Sequence, residues 1–273
     1  MLINIRKTSG ELEPFSEEKV RSSLTRARID KGVQDEIIRR LFSRLYEGIT
    51  TRKIYSLVYG WLKDDKPYLA SRYNLKRAVM ALGPTGYPFE KFIAGVLVHC
   101  GFQTTVSTII KGRCISHEID VLAQKDNVRY MGECKFHNRQ GIKTDVKVAL
   151  YVDARFLDIK DTPINFFGEK TVSQALLATN TKLTSQAIAY CRCKKMQMIS
   201  WNYPQGFSLR ELIEKEGLHP ITCLSSLSRK EKQSLLSEGF VFCHDLTEGK
   251  KWSSLVARNK LEEVKEEARL VVK

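Results

Sequence analysis

Apolar residues in this chain recur first at helical spacing, then at strand spacing, then at helical spacing again. Leu2 to Ile5 reads as a short strand followed by a turn at Ser9-Gly10. Ser16, with Lys19 and Val20 behind it, fits the N-cap of a first helix. Thr50 and Thr51 precede Ile54, Leu57, Val58 and Trp61, which share one helical face. A further helix is expected from about Tyr68 to Leu82, carrying Arg72, Lys76 and Arg77. The breaker cluster Gly83-Pro84-Thr85-Gly86-Tyr87-Pro88 marks a domain boundary. After it comes a helix from Phe89 to Cys100, with Phe92, Ile93, Val96 and Leu97 as its apolar stripe and Gly101 as its stop. The runs Gln103 to Ile110, Cys114 to Gln124 and Val128 to Phe136 are β-like, the last two joined by a turn at Lys125-Asp126-Asn127. Helical regions follow from about Ile142 through Arg155 and from about Ser173 to Cys193, and Met196 to Ser200 reads as a final buried strand.

Beyond Trp201-Asn202-Tyr203-Pro204 the pattern is mostly helical. Leu261 to Lys273 mixes Glu and Lys at helical spacing, as a solvated helix face does. The expected class is α/β (α+β): a small helical domain with a β-hairpin over residues 1–82, a central mixed sheet flanked by helices over 83–200, and a mostly helical region over 201–273.

Charge narrows the choice of partner. The 273 residues carry a formal net charge of +14, which favours a polyanion, because lysines and arginines that neutralise phosphates release condensed counterions. The seven cysteines are scattered, with Cys191-x-Cys193 the only close pair, and none has zinc-ribbon spacing; free thiols in a reducing cytoplasm are expected. No apolar run approaches the roughly 20 residues needed to span a bilayer, and Met1 to Lys7 is charged too early for a signal peptide.

The chemistry concentrates in two neighbouring strands. In Gly132-Glu133-Cys134-Lys135 alternation puts Glu133 and Lys135 on one face and Cys134 on the other. If the two runs pair about the Lys125 to Asn127 turn, Asp120 comes near Glu133. Two carboxylates and a lysine at one end of a sheet suit phosphodiester cleavage: the acids hold Mg²⁺, and the amine orients or deprotonates the attacking water. Glu90, just after the breaker cluster, offers a further carboxylate. The plainer reading of an E-x-K strand is an exposed ion pair worth about 0–1 kcal/mol. Against it, an acid set among Ile119, Val121 and Leu122 is costly to bury unless paired or functional.

Residues 83 to about 200 resemble the PD-(D/E)xK nuclease superfamily, specifically its Mrr-like restriction endonuclease branch. The matching pieces are Phe89-Glu90-Lys91-Phe92, Gly101-Phe102, Glu118-Ile119-Asp120 and Glu133-Cys134-Lys135. The resemblance implies Asp120 and Glu133 as metal ligands, Lys135 as the catalytic lysine and Glu90 as the helix acid found in related Holliday-junction resolvases. Gln186-Ala187-Ile188-Ala189-Tyr190 is similar to a Q-x-x-x-Y motif that lies near substrate in some members, making Gln186 and Tyr190 candidates for DNA contact; an ordinary helical pair is the alternative. Ile221 to Leu246 has a fainter likeness to a helix-hairpin-helix element, with a packing appendage as the alternative.

Residues 1 to about 82 resemble the ATP-cone, a regulatory nucleotide-binding module, through Ile5-Arg6-Lys7, Gly10, Glu13-Pro14-Phe15-Ser16, Glu18-Lys19-Val20, Tyr46 to Thr51 and Ala70-Ser71-Arg72-Tyr73. That likeness implies that Lys7 and Lys19 meet phosphates, with Glu13, Ser16 and Thr51 around the nucleotide. Thr8-Ser9 departs from the usual Arg-Asp before the turn glycine, and no P-loop occurs, so ATP (or dATP) is expected as an allosteric effector rather than as fuel. Together these readings describe a cytoplasmic, ATP-regulated, Mg²⁺-dependent DNA endonuclease, with self-association into a homo-oligomer left open. The alternative is a non-catalytic nucleotide-responsive DNA-binding protein or transcriptional regulator.

Overall fold

The helical stripes at the start of the chain close on one another. In the computed structural model, which describes residues 3–7, 9–139, 141–166, 168–248 and 251–273, β1 (Asn4–Arg6) and β2 (Leu12–Pro14) form an antiparallel hairpin. After it come α1 (Glu17–Arg26), α2 (Lys31–Phe42), α3 (Thr51–Asp65) and α4 (Pro67–Tyr73). Ser16, Asp30 and Thr50 cap the first three of these helices, each accepting a backbone N–H. Leu24, Leu41, Val58 and Leu62 are the heart of the first core. Leu2, expected to open the first strand, and Thr8, in the turn, lie outside the described residues.

The helix expected from Tyr68 to Leu82 is instead two, because α4 stops before Asn74 and α5 (Leu75–Met80) restarts after it. Asn74, at φ −83° and ψ 2°, turns the backbone out of helical geometry for one residue, and its side chain accepts a 2.6 Å hydrogen bond from Tyr55 Oη. Leu69 and Ala70 belong to the first core, whereas Leu75, Ala78, Val79 and Leu82 belong to a second, larger one.

That larger body begins with α6 (Tyr87–His99), β3 (Gln103–Lys111), β4 (Ser116–Lys125), β5 (Val128–Lys135) and β6 (Lys143–Thr144). It continues with α7 (Val146–Ile159), β7 (Ile164–Asn165), β8 (Glu169–Lys170), β9 (Gln174–Thr179), β10 (Lys182–Leu183), α8 (Ser185–Cys193) and β11 (Gln197–Ile199). The central sheet has the order β11-β9-β5-β4-β3; β3, β4 and β5 run antiparallel, and β5, β9 and β11 parallel. Asp126 and Asn127, at φ of 50° and 63°, make the tight turn between β4 and β5. Helix was expected from Ser173 onward, but Gln174–Thr179 is strand. Ala175 to Thr179 is covered on both faces, as central parallel strands are, and so shows a continuous apolar run rather than alternation.

On one face of the sheet lies α6, backed by α9 (Leu209–Glu216), α10 (Arg229–Ser237) and α11 (Leu261–Val272). Gly95 of α6 has no side chain because the Phe242 ring stands where one would go, 2.3 Å from an ideal Cβ. On the other face lie α7 and α8. The terminal helix has the expected solvated face in Glu262, Glu263, Glu266 and Arg269, but its other face is core: Val264, Ala268 and Val271 are 0%, 0% and 1% exposed. Its buried Glu267 accepts from Ser71 Oγ (2.7 Å), Ser225 N (2.8 Å), Ser225 Oγ (2.9 Å) and Ser226 N (2.9 Å). At its far end Arg72 donates to the carbonyls of Leu270 (2.8 Å) and Val271 (3.0 Å), and Arg28 to that of Lys273 (3.2 Å). Cations thus satisfy the carbonyls a helix C-terminus leaves bare. All seven cysteines are free thiols. Among the described residues no helix is long and apolar enough to cross a membrane.

Candidate functional site

The β4–β5 ladder ends at Val121 and Gly132. The strands approach so closely there that a Cβ on Gly132 would stand 2.7 Å from the Val121 carbonyl oxygen. One step further on, Asp120 and Glu133 face each other without backbone pairing, and Asp120 Oδ2 instead accepts the Cys134 N–H at 2.7 Å. A carboxylate therefore takes the place of the next rung and opens a fork between the strands.

The other edge of β4 also gives way at Asp120. Val106–Val121 and Thr108–Ile119 are paired, but Ser107 between them has a φ of 49°, a strained backbone for a residue with a side chain. The hairpin changes faces at this point: Val121 and Ala123 pack on the α6 side, Ile119 on the α7 side. This switch lets an acid from each face approach Asp120. Glu90 enters from the first turn of α6. Glu133 enters from the α7 side, sharing its face with its pairing partner Leu177, while Cys134 turns into the α6-side core as alternation requires.

Electrostatics register the crowding. Burial, then the charges of Asp120 and Glu118, push Glu90 up to about 7 against a restraining hydrogen bond from Ser107. Burial and Asp120 likewise push Glu133 up to about 7, opposed by Arg155 and Lys135. Asp120 itself is raised by burial, with the Cys134 N–H and Arg155 working the other way. The acids are short of positive charge. One cation is already present: Arg155 of α7 makes an ion pair with Glu133 and also donates to the Glu118 carbonyl, bridging the fork from strand to strand. Among the described residues, no three of His, Cys, Asp and Glu are gathered tightly enough to hold a metal ion by themselves.

Asp120, Glu133, Lys135 and Glu90, read from sequence as one cluster, thus come together electrostatically around the fork. Gln186 and Tyr190 do not join them. Gln186 is exposed on the first turn of α8, and the Tyr190 hydroxyl donates to Asp153 Oδ2 at 2.7 Å, where Lys194 also pairs at 2.9 Å. His117 faces Asp158 at 2.7 Å. Two residues escaped the sequence reading. Nothing marked Ser107, but Arg155 lies on the helical stripe of Val152 and Ile159, and a cation on an apolar face needs a partner.

In the first domain the hairpin gathers the expected residues. Glu13 pairs with Lys7 at 2.8 Å and with Lys19 at 3.1 Å, and Lys7 reaches Glu11 at 3.1 Å. The two lysines, first among its influences, hold the Glu13 carboxyl below its usual range. Ser16 spends its hydroxyl capping α1 (3.2 Å to Lys19 N), and Thr50 rather than Thr51 carries the cap of α3. Arg6 bridges to Thr50, so the start of α3 sits beside the lysine-bearing hairpin.

A helical N-terminal domain with a lysine-bearing hairpin, joined to an α/β body with a mixed sheet, defines a two-part protein. The ATP cone domain family matches residues 3–79, and the family described as AF1548-like, C-terminal, matches residues 219–272. An Archaeoglobus fulgidus protein named only as an uncharacterized protein is 37% identical over 154 residues, covering 56% of this chain and 83% of that protein. A solved structure, titled as the crystal structure of the protein of unknown function AF1548, superposes with a TM-score of 0.59 at 34% identity, covering 69% of this chain and 98% of that one. The chain belongs to the AF1548-like family and carries an ATP-cone at its N-terminus.

Proposed function

We propose that the chain is a nucleotide-regulated, metal-dependent deoxyribonuclease of the PD-(D/E)xK, Mrr-like type, with the cone over residues 1–82, the cutting core over 83–200 and a helical region over 201–273. The observation that carries the reading is the fork at the end of β4 and β5, where Asp120, Glu133 and Glu90 crowd together and Lys135 shares the face of Glu133. Three carboxylates crowded in partial burial with a single buried guanidinium among them are costly to maintain without a use for them. Their donor set suits Mg²⁺, a hard ion that takes only one or two protein carboxylates and completes its shell with water and phosphate oxygens, so a closed cage of protein ligands is not required.

Asp120 and Glu133 would hold the ion, which when bound supplies Lewis acidity at the phosphoryl group and lowers the pKa of a bound water. The chain's own residues do the rest. The Cys134 N–H fixes the Asp120 carboxylate, and Glu90 stands ready to accept a proton, its affinity already raised into the neutral range. Lys135 orients the attacking water and balances the negative charge that builds on the phosphoryl oxygens. The net charge of +14 suits a DNA substrate. A plasmid-nicking assay with and without Mg²⁺, repeated across an ATP titration, tests the reading. Nicking that needs Mg²⁺ and changes with ATP is expected; no nicking under any condition would remove the hydrolase.

Lys7 and Lys19 would hold nucleotide phosphates in exchange for Glu13. Replacing both by alanine is expected to weaken ATP binding at least about tenfold in calorimetry, since each charge-assisted hydrogen bond contributes roughly 1.5–3 kcal/mol. One observation favours a second reading, a nucleotide-responsive DNA-binding protein without catalysis: Glu133 is already satisfied by Arg155. Metal-independent DNA binding without nicking would select it.

A further inference from the structure

We infer that Arg155 is a positioning residue that stands in for the divalent cation at Glu133 and must withdraw from that carboxylate when the ion binds. The inference rests on the nuclease reading above and deepens it. Arg155 spans the fork: one arm takes Glu133 of β5, the other the carbonyl of Glu118 on β4, beyond the point where the strands cease to pair. It bridges the strands at the place where an ion held by Asp120 and Glu133 would draw them together. The side chain is only 9% exposed, which is tolerable for a guanidinium only because it is paired.

Two further observations support its leaving this position. Its Nε is buried without a hydrogen-bond partner, so the arrangement leaves a donor unsatisfied. Beside it opens a cavity of about 670 Å³ whose lining includes Tyr151, Asp158 and Arg155 itself. The Tyr151 ring already lies 5.3 Å from the guanidinium, a cation–π distance, whereas Asp158 on the same helix is taken by His117 and the Cys114 and Ile115 amides. The guanidinium therefore has room, and an aromatic face to rest on, when it leaves Glu133. A divalent ion and an arginine compete for one carboxylate, and the loser needs somewhere to go.

The test is calorimetric binding of Mn²⁺ to the full chain, measured above the pH at which the acids titrate, on four proteins: the parent, Arg155→Gln, Arg155→Lys and Asp120→Asn. Removing a unit charge from the ion's own ligand is expected to tighten Mn²⁺ binding about tenfold in Arg155→Gln. Arg155→Lys keeps the charge but has no fork to span both strands, so it retains the fold and binds Mn²⁺ more tightly than the parent by a smaller factor. Unchanged or weaker binding in the folded Arg155 variants overturns the inference. Absence of an Asp120-dependent Mn²⁺ site in the parent is a different result, and it overturns the nuclease reading instead.

Discussion

Asp120→Asn is expected to lower plasmid nicking by about three orders of magnitude while moving the melting temperature by less than about 3 °C. The two numbers separate because the residue has two jobs and asparagine can do one of them. Its side-chain oxygen can still accept the Cys134 N–H, now at 2.7 Å, so the fork stays open as before. What disappears is the negative charge. Since Asp120 is among the causes raising both Glu90 and Glu133 to about 7, its neutral replacement should let both fall back part of the way towards 4.5, the remainder being held by burial. NMR titration of the two carboxyls reads this directly. A variant that still nicks at the parental rate would show that the fork is scaffolding.

Glu267→Ala should be strongly destabilising, at about 3 kcal/mol, or roughly 10 °C in melting temperature. Glu267 is 6% exposed and accepts from Ser71, Ser225 and Ser226, which come from the end of the cone and from the loop before α10. Alanine leaves the Ser225 and Ser226 amides and the Ser225 hydroxyl short of an acceptor in a half-buried pocket, while Ser71 can turn to the Cys223 carbonyl, 3.0 Å away. The loss comes from stranded hydroxyl and amide groups rather than from lost apolar burial, so Glu267→Gln, which keeps one acceptor oxygen, should recover part of it. Thermal unfolding of the three proteins side by side gives the ordering. A melting temperature for Glu267→Ala within a degree or two of the parent would mean that the clasp contributes little.

The sequence disclosed those parts of the fold whose physics is local. Alternation separated Cys134 from Glu133 and Lys135 correctly, and the Lys125 to Asn127 turn set the β4–β5 register that brings Asp120 opposite Glu133. Ser16 announced α1. Elsewhere the determining fact was not local. Gln174–Thr179 looked like part of a helix because a strand buried on both faces lacks a period, and only its neighbours β5 and β11 define it. The Leu261 to Lys273 segment looked solvated because its Glu and Lys are conspicuous, yet Glu267 finds three serines remote in sequence and goes inside. Ser107 was invisible for a third reason: a positive φ at a serine is imposed by the packing of two faces and leaves no trace in composition. The Glu133–Arg155 pair was half legible, as a buried arginine in search of an acid.

The junction at α4 has a mechanical corollary. Leu69 and Ala70 are anchored in one core, Leu75 and Ala78 in the other, and Arg72 between them grips the last carbonyls of α11. The chain therefore has no slack tether at this point that could let the cone swing as a free weight. Any tilt of α4 must carry the tail of α11 with it through Arg72, and the end of α9 packs tightly on the same tail, where a Cβ on Gly217 would stand 2.6 Å from the Val272 carbonyl oxygen. Cutting the first domain away would strip the end of α11 of the Arg28 and Arg72 donors that now cover its carbonyls.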